Sequence, residues 1–105
     1  MKNSYLWNTL ISKIYKMVAK QITITGHVQG VGFRYYIYKK AHMLGIKGFV
    51  RNEPDGTVYV EAYADDQDAM DAFIDYLKRG PSMARVENVF VTDIPAQDFK
   101  EFSIR

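Results

Sequence analysis

The sequence predicts an α+β domain in which one antiparallel sheet carries two helices on a single face. Three observations lead there. Apolar residues alternate with period two in four stretches and recur at helical spacing in two others, in the order strand, helix, strand, strand, helix, strand, with a short fifth strand to finish. The chain has 105 residues, enough for one hydrophobic core and not for two. Hydrophobic residues make up 48% and charged residues 25%, the balance of a globular chain.

Each element has a local reason. Val18, Ile22 and Ile24 share one face of a first strand, with Gln21, Thr23 and Thr25 on the other, and the strand ends near Gly26. Phe33, Ile37, Ala41 and Leu44 then fall on one side of a helix that Gly45 closes. Ile46 to Asn52 is the second strand and Thr57 to Tyr63 the third. Pro54-Asp55-Gly56 turns one into the other, proline presetting φ and glycine accepting φ > 0. Asp65 or Asp66 caps a second helix with Ala69, Met70, Phe73, Ile74 and Leu77 inward, and Gly80-Pro81 stops it. Val86 to Ile94 forms the fourth strand and Phe99 to Ile104 the fifth.

This order is that of a ferredoxin-like β-α-β-β-α-β sandwich. Right-handed crossovers predict a sheet order 4-1-3-2, with strands 1 and 2 parallel and strand 3 between them. The loop leaving strand 1 and the last residue of strand 2, Asn52, therefore emerge at the same sheet edge, two strand spacings or about 10 Å apart.

Residues 1–17 read as an amphipathic extension of the domain at 18–105. Leu6, Trp7, Leu10, Ile11, Ile14 and Met17 form a helical stripe, interrupted as a secretory or membrane segment by Asn8, Thr9, Ser12 and Lys13. The expectation is a helix over residues 4–17 that packs on an aromatic surface, this chain's open sheet face with Phe49, Tyr59 and Tyr63 or a neighbour's, so that any dimer forms through it. A bare tail, with Met17 as the natural start, is the alternative. The extension holds Lys2, Lys13 and Lys16 and no acid, a charge of +3. The rest keeps 11 of the 14 basic residues against all 12 acids, a balance of −1. Such a body does not attract nucleic acid. With no cysteine, disulfides, thiol nucleophiles and thiolate metal sites are excluded, and two histidines make a poor transition-metal site. No metal, no cofactor, no membrane association and a cytoplasmic monomer are expected.

The segment that carries chemistry is His27-Val28-Gln29-Gly30-Val31-Gly32-Phe33-Arg34, a strand-to-helix loop. Successive N–H groups there can curl around an anion, and the helix dipole adds positive potential. Gly30 and Gly32 allow φ > 0 and close approach of the backbone; Arg34 adds a planar cation. A tight turn would need the same glycines. The arginine argues for a ligand, because a cation in a first helical turn opposes the dipole unless an anion sits beside it.

Gly26-x-Val28-Gln29-Gly30-Val31-Gly32-Phe33-Arg34, followed by Ala41, Leu44-Gly45, Gly48-x-Val50-x-Asn52 and Asp55-Gly56-x-Val58, resembles the acylphosphatase signature in residue type and spacing. The resemblance covers most of residues 18–105 and leaves the amphipathic extension outside it. It implies a metal-independent hydrolase that cleaves the carboxyl–phosphate bond of small acyl phosphates to carboxylate and inorganic phosphate. It also implies that Val28, Gln29, Gly30, Val31, Gly32, Phe33 and Arg34 bind phosphate, and that Arg34 and Asn52 are catalytic, Asn52 by orienting the attacking water. A carboxylate leaves without a general acid, since its conjugate acid has a pKa of about 4. An inactive relative, or a carbamoyl-phosphate-processing domain of a larger enzyme, would show the same resemblance; a chain ending at Arg105 is expected to be the free-standing hydrolase.

The rival class is an RNA-binding module of the same element order, since Lys47-Gly48-Phe49-Val50 echoes part of an RNP1 pattern. That echo lies on the predicted edge strand, whereas base-stacking aromatics belong on the central two. His27 and His42 lack a carboxylate partner in sequence and Tyr35, Tyr36 and Tyr38 read as packing or rim residues, so none is assigned a catalytic role.

Overall fold

The structure, a computed structural model, describes residues 17–105. Strand β1 (Val18–His27) leads through the glycine-rich loop into helix α1 (Phe33–Leu44). The hairpin β2 (Lys47–Asn52) and β3 (Val58–Ala64) follows, then α2 (Gln67–Arg79), β4 (Arg85–Asp93) and β5 (Phe102–Ile104). Every predicted element is present, with ends moved by up to three residues, most at β5. The extension helix expected over residues 4–17 falls outside the described residues but for Met17.

One five-stranded sheet has the order β4-β1-β3-β2-β5. The first four positions are those that crossover handedness predicts, and β5 adds to the far edge, parallel to β2, with Gly48 opposite Phe102 and Val50 opposite Ile104. Register puts Ile22 opposite Val60 and Ile24 opposite Val58, and Val50 opposite Val60, so these side chains share the helix-covered face. Phe33, Ile37 and Ala41 from α1 and Met70, Phe73 and Leu77 from α2 close over them, all buried. Phe102 reaches the same core and meets the Phe73 ring edge-on at 6.1 Å. The α2 start is capped by Asp66, whose carboxylate accepts from the Ala69 N–H at 2.8 Å.

Packing dictates a glycine at Gly48, where an added Cβ would stand 1.9 Å from the Glu61 carbonyl oxygen, and at Gly26. At Gly26 the pairing of β1 with β4 shifts register, and an added Cβ would stand 2.1 Å from the Arg85 carbonyl oxygen. Only a residue without a side chain lets the two strands approach there, directly before the loop.

Phe49, Tyr59 and Tyr63 lie on the face away from the helices, as the alternation predicts, but they do not form a bare patch. Phe99 folds back and stacks on Tyr63, centroids 4.7 Å apart at 16°, and lies 6.1 Å from Phe49. The Arg105 guanidinium sits 4.0 Å over the Phe49 ring. Between the tyrosines, Glu61 accepts from the Tyr59 hydroxyl at 2.7 Å and from the Tyr63 hydroxyl at 2.8 Å. Burial, with the Glu61 carboxylate second, pushes the Tyr59 phenol up to about 12 and raises Tyr63 as well.

Candidate active site

The loop between β1 and α1 is held at three points. Val28 is buried, and Val31 packs against the core. Gln29 turns the other way: its Nε2 donates to the carbonyls of Glu53 at 2.8 Å and Thr57 at 2.9 Å, in the turn between β2 and β3. Between these anchors Gly30 and Gly32 both take left-handed conformations, φ 75° and 77°. An added Cβ at either would meet no atom within 4 Å, so glycine is there for its backbone angle, and the space beside it is open.

Gly32 is the N-cap of α1. No side chain caps this end and no acid stands in its first turn. The bond from the Tyr36 N–H to the Gly32 carbonyl, 3.0 Å, begins the helical ladder, so the N–H groups of Phe33, Arg34 and Tyr35 precede its first donor. Arg34 is exposed and forms no salt bridge among the described residues, whereas Arg51 and Arg79 each hold a carboxylate at 2.6 Å. Uncapped N–H groups and an uncompensated guanidinium on one helix end create a local field that an anion satisfies.

Asn52 ends β2 opposite Val58, on the same face as Val50. Its Oδ1 is buried and accepts no hydrogen bond from the described residues. A buried acceptor left so costs about 1–3 kcal/mol, which a donating water would recover. The two halves share one pocket of about 240 Å³: Val28, Gly30, Gly32, Phe33 and Arg34 come from the loop and helix end, Asn52 from β2.

Six of the sequence-predicted site residues thus line a single hollow. Gln29 and Val31 do not line it; the Gln29 side chain is spent on the hairpin turn and that of Val31 on the core. Sequence reasoning missed two lining residues, Tyr35 and Ile104. Tyr35 follows Arg34 and was legible only as a rim position. Ile104 carried no signal, because it arrives through the pairing of β5 with β2. His27 belongs to a different hollow, with Ser82, Met83, Arg85 and Glu87. Tyr36 faces α2, donating its hydroxyl to the Tyr76 carbonyl at 2.9 Å, and burial raises its pKa. Among the described residues, no group of three or more His, Asp or Glu side chains could hold a metal ion, and no helix is long and apolar enough to cross a membrane.

A ferredoxin-like sandwich with an uncapped, arginine-bearing helix end and a strand-end asparagine on one pocket is a frame that could hold a small anion. Comparison with known proteins specifies it further. The acylphosphatase family model matches residues 20–104. An acylphosphatase of Nocardioides sp. is 46% identical over 87 residues, 83% of this chain and 87% of that protein. One of Archaeoglobus fulgidus is 41% identical over 88 residues, 84% of this chain and 98% of its own. The solved structure of an acylphosphatase from Coxiella burnetii superposes with a TM-score of 0.84 at 33% identity, covering 89% of this chain and 97% of the other. The chain belongs to the acylphosphatase family, enzymes that hydrolyse acyl phosphates.

Proposed function

We propose that the chain hydrolyses acyl phosphates without a metal ion, the phosphoryl group lying in the backbone cradle of residues 28–34 against Arg34, with the attacking water held by Asn52. The observation that carries this reading is the convergence of the two left-handed glycines, Arg34 and the unpartnered Asn52 Oδ1 on one pocket.

The chemistry needs little else. Water attacks phosphorus in line with the acyl oxygen, the P–O bond to that oxygen breaks, and its electron pair leaves on the carboxylate. Because the carboxylic acid has a pKa of about 4, no proton need reach the leaving group. Charge gathers on the three equatorial phosphoryl oxygens, where the N–H groups and the guanidinium fork can meet it. Asn52 cannot act as a base; its amide accepts from and donates to the water, and the water's proton passes to a phosphoryl oxygen. Catalysis is then mainly orientation and preorganised charge. The same reading takes the chain to act alone in the cytoplasm, a reducing compartment that suits a chain without cysteine.

The test is release of phosphate from benzoyl phosphate in the presence of a chelator. Turnover that survives EDTA and is unaffected by added Mg²⁺ or Zn²⁺ is the expected result. Activity lost to the chelator and restored by either ion would overturn the proposal.

A further inference from the structure

A row of rings leads away from the pocket. Tyr35 lines it and is 61% exposed. The Tyr38 ring stacks beside Tyr35 at 6.2 Å and 16°, and the His42 ring lies 4.4 Å beyond Tyr38. Positions 35, 38 and 42 occupy one stripe of α1, so the row extends about 10 Å from the pocket at 1.5 Å per residue. It is a different stripe from Phe33, Ile37 and Ala41, which face the core. Aliphatic lining of the same pocket comes from Val28 and Ile104.

The phosphoryl group is common to every acyl phosphate, so any preference among them must come from contacts to the acyl part. Arg34, the glycines and Asn52 account for the polar lining; Tyr35 supplies an aromatic surface next to them. Stacking on Tyr38 has already restricted the Tyr35 side chain, so binding a planar group against it forfeits little further rotamer freedom. We propose that Tyr35, backed by Tyr38, is the surface on which the acyl group stacks, and that it makes this enzyme prefer acyl phosphates with a planar apolar acyl group over small aliphatic ones. The inference rests on the cradle reading above, because the phosphoryl group must sit by Arg34 for the acyl group to meet Tyr35.

The experiment compares kcat/KM for benzoyl phosphate and acetyl phosphate in the full chain, in Tyr35→Ala and in Tyr35→Phe, with Arg34→Ala alongside. The ratio of the two values is unaffected by the fraction of enzyme that folds. In Tyr35→Ala the benzoyl to acetyl ratio is expected to fall about tenfold, from the lost ring contact, while Tyr35→Phe keeps it within about twofold because the ring remains. A ratio unchanged in Tyr35→Ala would overturn the platform, as would a ratio that falls as far in Tyr35→Phe. Wild-type turnover in Arg34→Ala would instead overturn the cradle reading; an Arg34-dependent enzyme whose ratio ignores Tyr35 would refute the platform alone.

Discussion

The Gln29 side chain donates to the main-chain carbonyl of Glu53 at 2.8 Å, and Glu53 is the residue directly after Asn52. The same nitrogen reaches the Thr57 carbonyl at 2.9 Å, which also accepts from the Glu53 N–H across the turn. One amide group therefore clamps the glycine-rich loop to the end of the strand that carries Asn52. The spacing between the two halves of the site depends on it.

Removing the clamp should impair the reaction more than the fold. Gln29→Ala is expected to destabilise by about 1–2 kcal/mol, for the two lost donations, and to lower kcat/KM by about 10- to 100-fold through misplacement of the loop. Gln29→Glu should be no better, because a carboxylate cannot donate to two carbonyls. Urea denaturation and steady-state turnover of the two variants check this.

Arg34→Ala should lower kcat/KM by at least about 10³ with the fold intact, the scale of losing a main stabiliser of transition-state charge. Arg34→Lys should recover little, since a point charge lacks the planar fork. The guanidinium holds no carboxylate among the described residues, so thermal melting should move by less than about 0.5 kcal/mol equivalent.

For Asn52→Ala the expected signs are opposite in activity and stability. Turnover should drop strongly while inhibition by inorganic phosphate stays within a few-fold, because water placement bears on the reaction and not on ground-state anion binding. Stability should hold or rise, as the change deletes a buried acceptor that has no partner among the described residues. A parallel collapse of phosphate affinity would recast Asn52 as a binding residue.

The pair of tyrosines on Glu61 sets a pH dependence. Tyr59 titrates near 12 in the folded chain against 10 for the free phenol, and Tyr63 is raised in the same direction. Above pH 10 the unfolded state releases these protons first, so it binds fewer than the native state and stability falls as pH rises. The Tyr59 contribution is whole below pH 10 and is lost as pH rises through about 12, with that of Tyr63 lost later still. Absorbance at the phenolate band during an alkaline titration should show Tyr59 and Tyr63 among the late-ionising tyrosines, with Tyr36 raised as well, and Glu61→Gln should bring Tyr59 and Tyr63 down.

A chain beginning at Met17 should keep Arg34-dependent turnover, since the family match spans residues 20–104 and all the pocket residues lie within it. If residues 1–17 are the stabilising extension that their apolar stripe suggests, the shortened chain should melt earlier or change its mass in solution. Light scattering and thermal denaturation of both chains decide between an extension and a tail.

The strands and helices were legible because their signals are local. Ile22 and Ile24, or Met70, Phe73 and Leu77, reveal a period, and the period names the element and its buried face. Arg34 was legible for a similar reason, as a cation in the first turn after a glycine-rich loop; the crossover rule puts Asn52 at the same edge, and its assignment to the site came from the acylphosphatase resemblance. What periodicity leaves open is the partner. Strand pairing runs through backbone groups that every residue carries, so nothing in Phe102-Ser103-Ile104 says that it lies parallel to β2 and delivers Ile104 to the pocket. Nor could the sequence tell that Gln29 reaches Glu53, that Phe99 covers Tyr63, or that Tyr35 enters the pocket and continues into a stack. The residue types and their spacing determined the elements and the core. Only the closed tertiary structure, in which segments distant along the chain are brought within a few ångströms, decided what clamps, covers and lines the site.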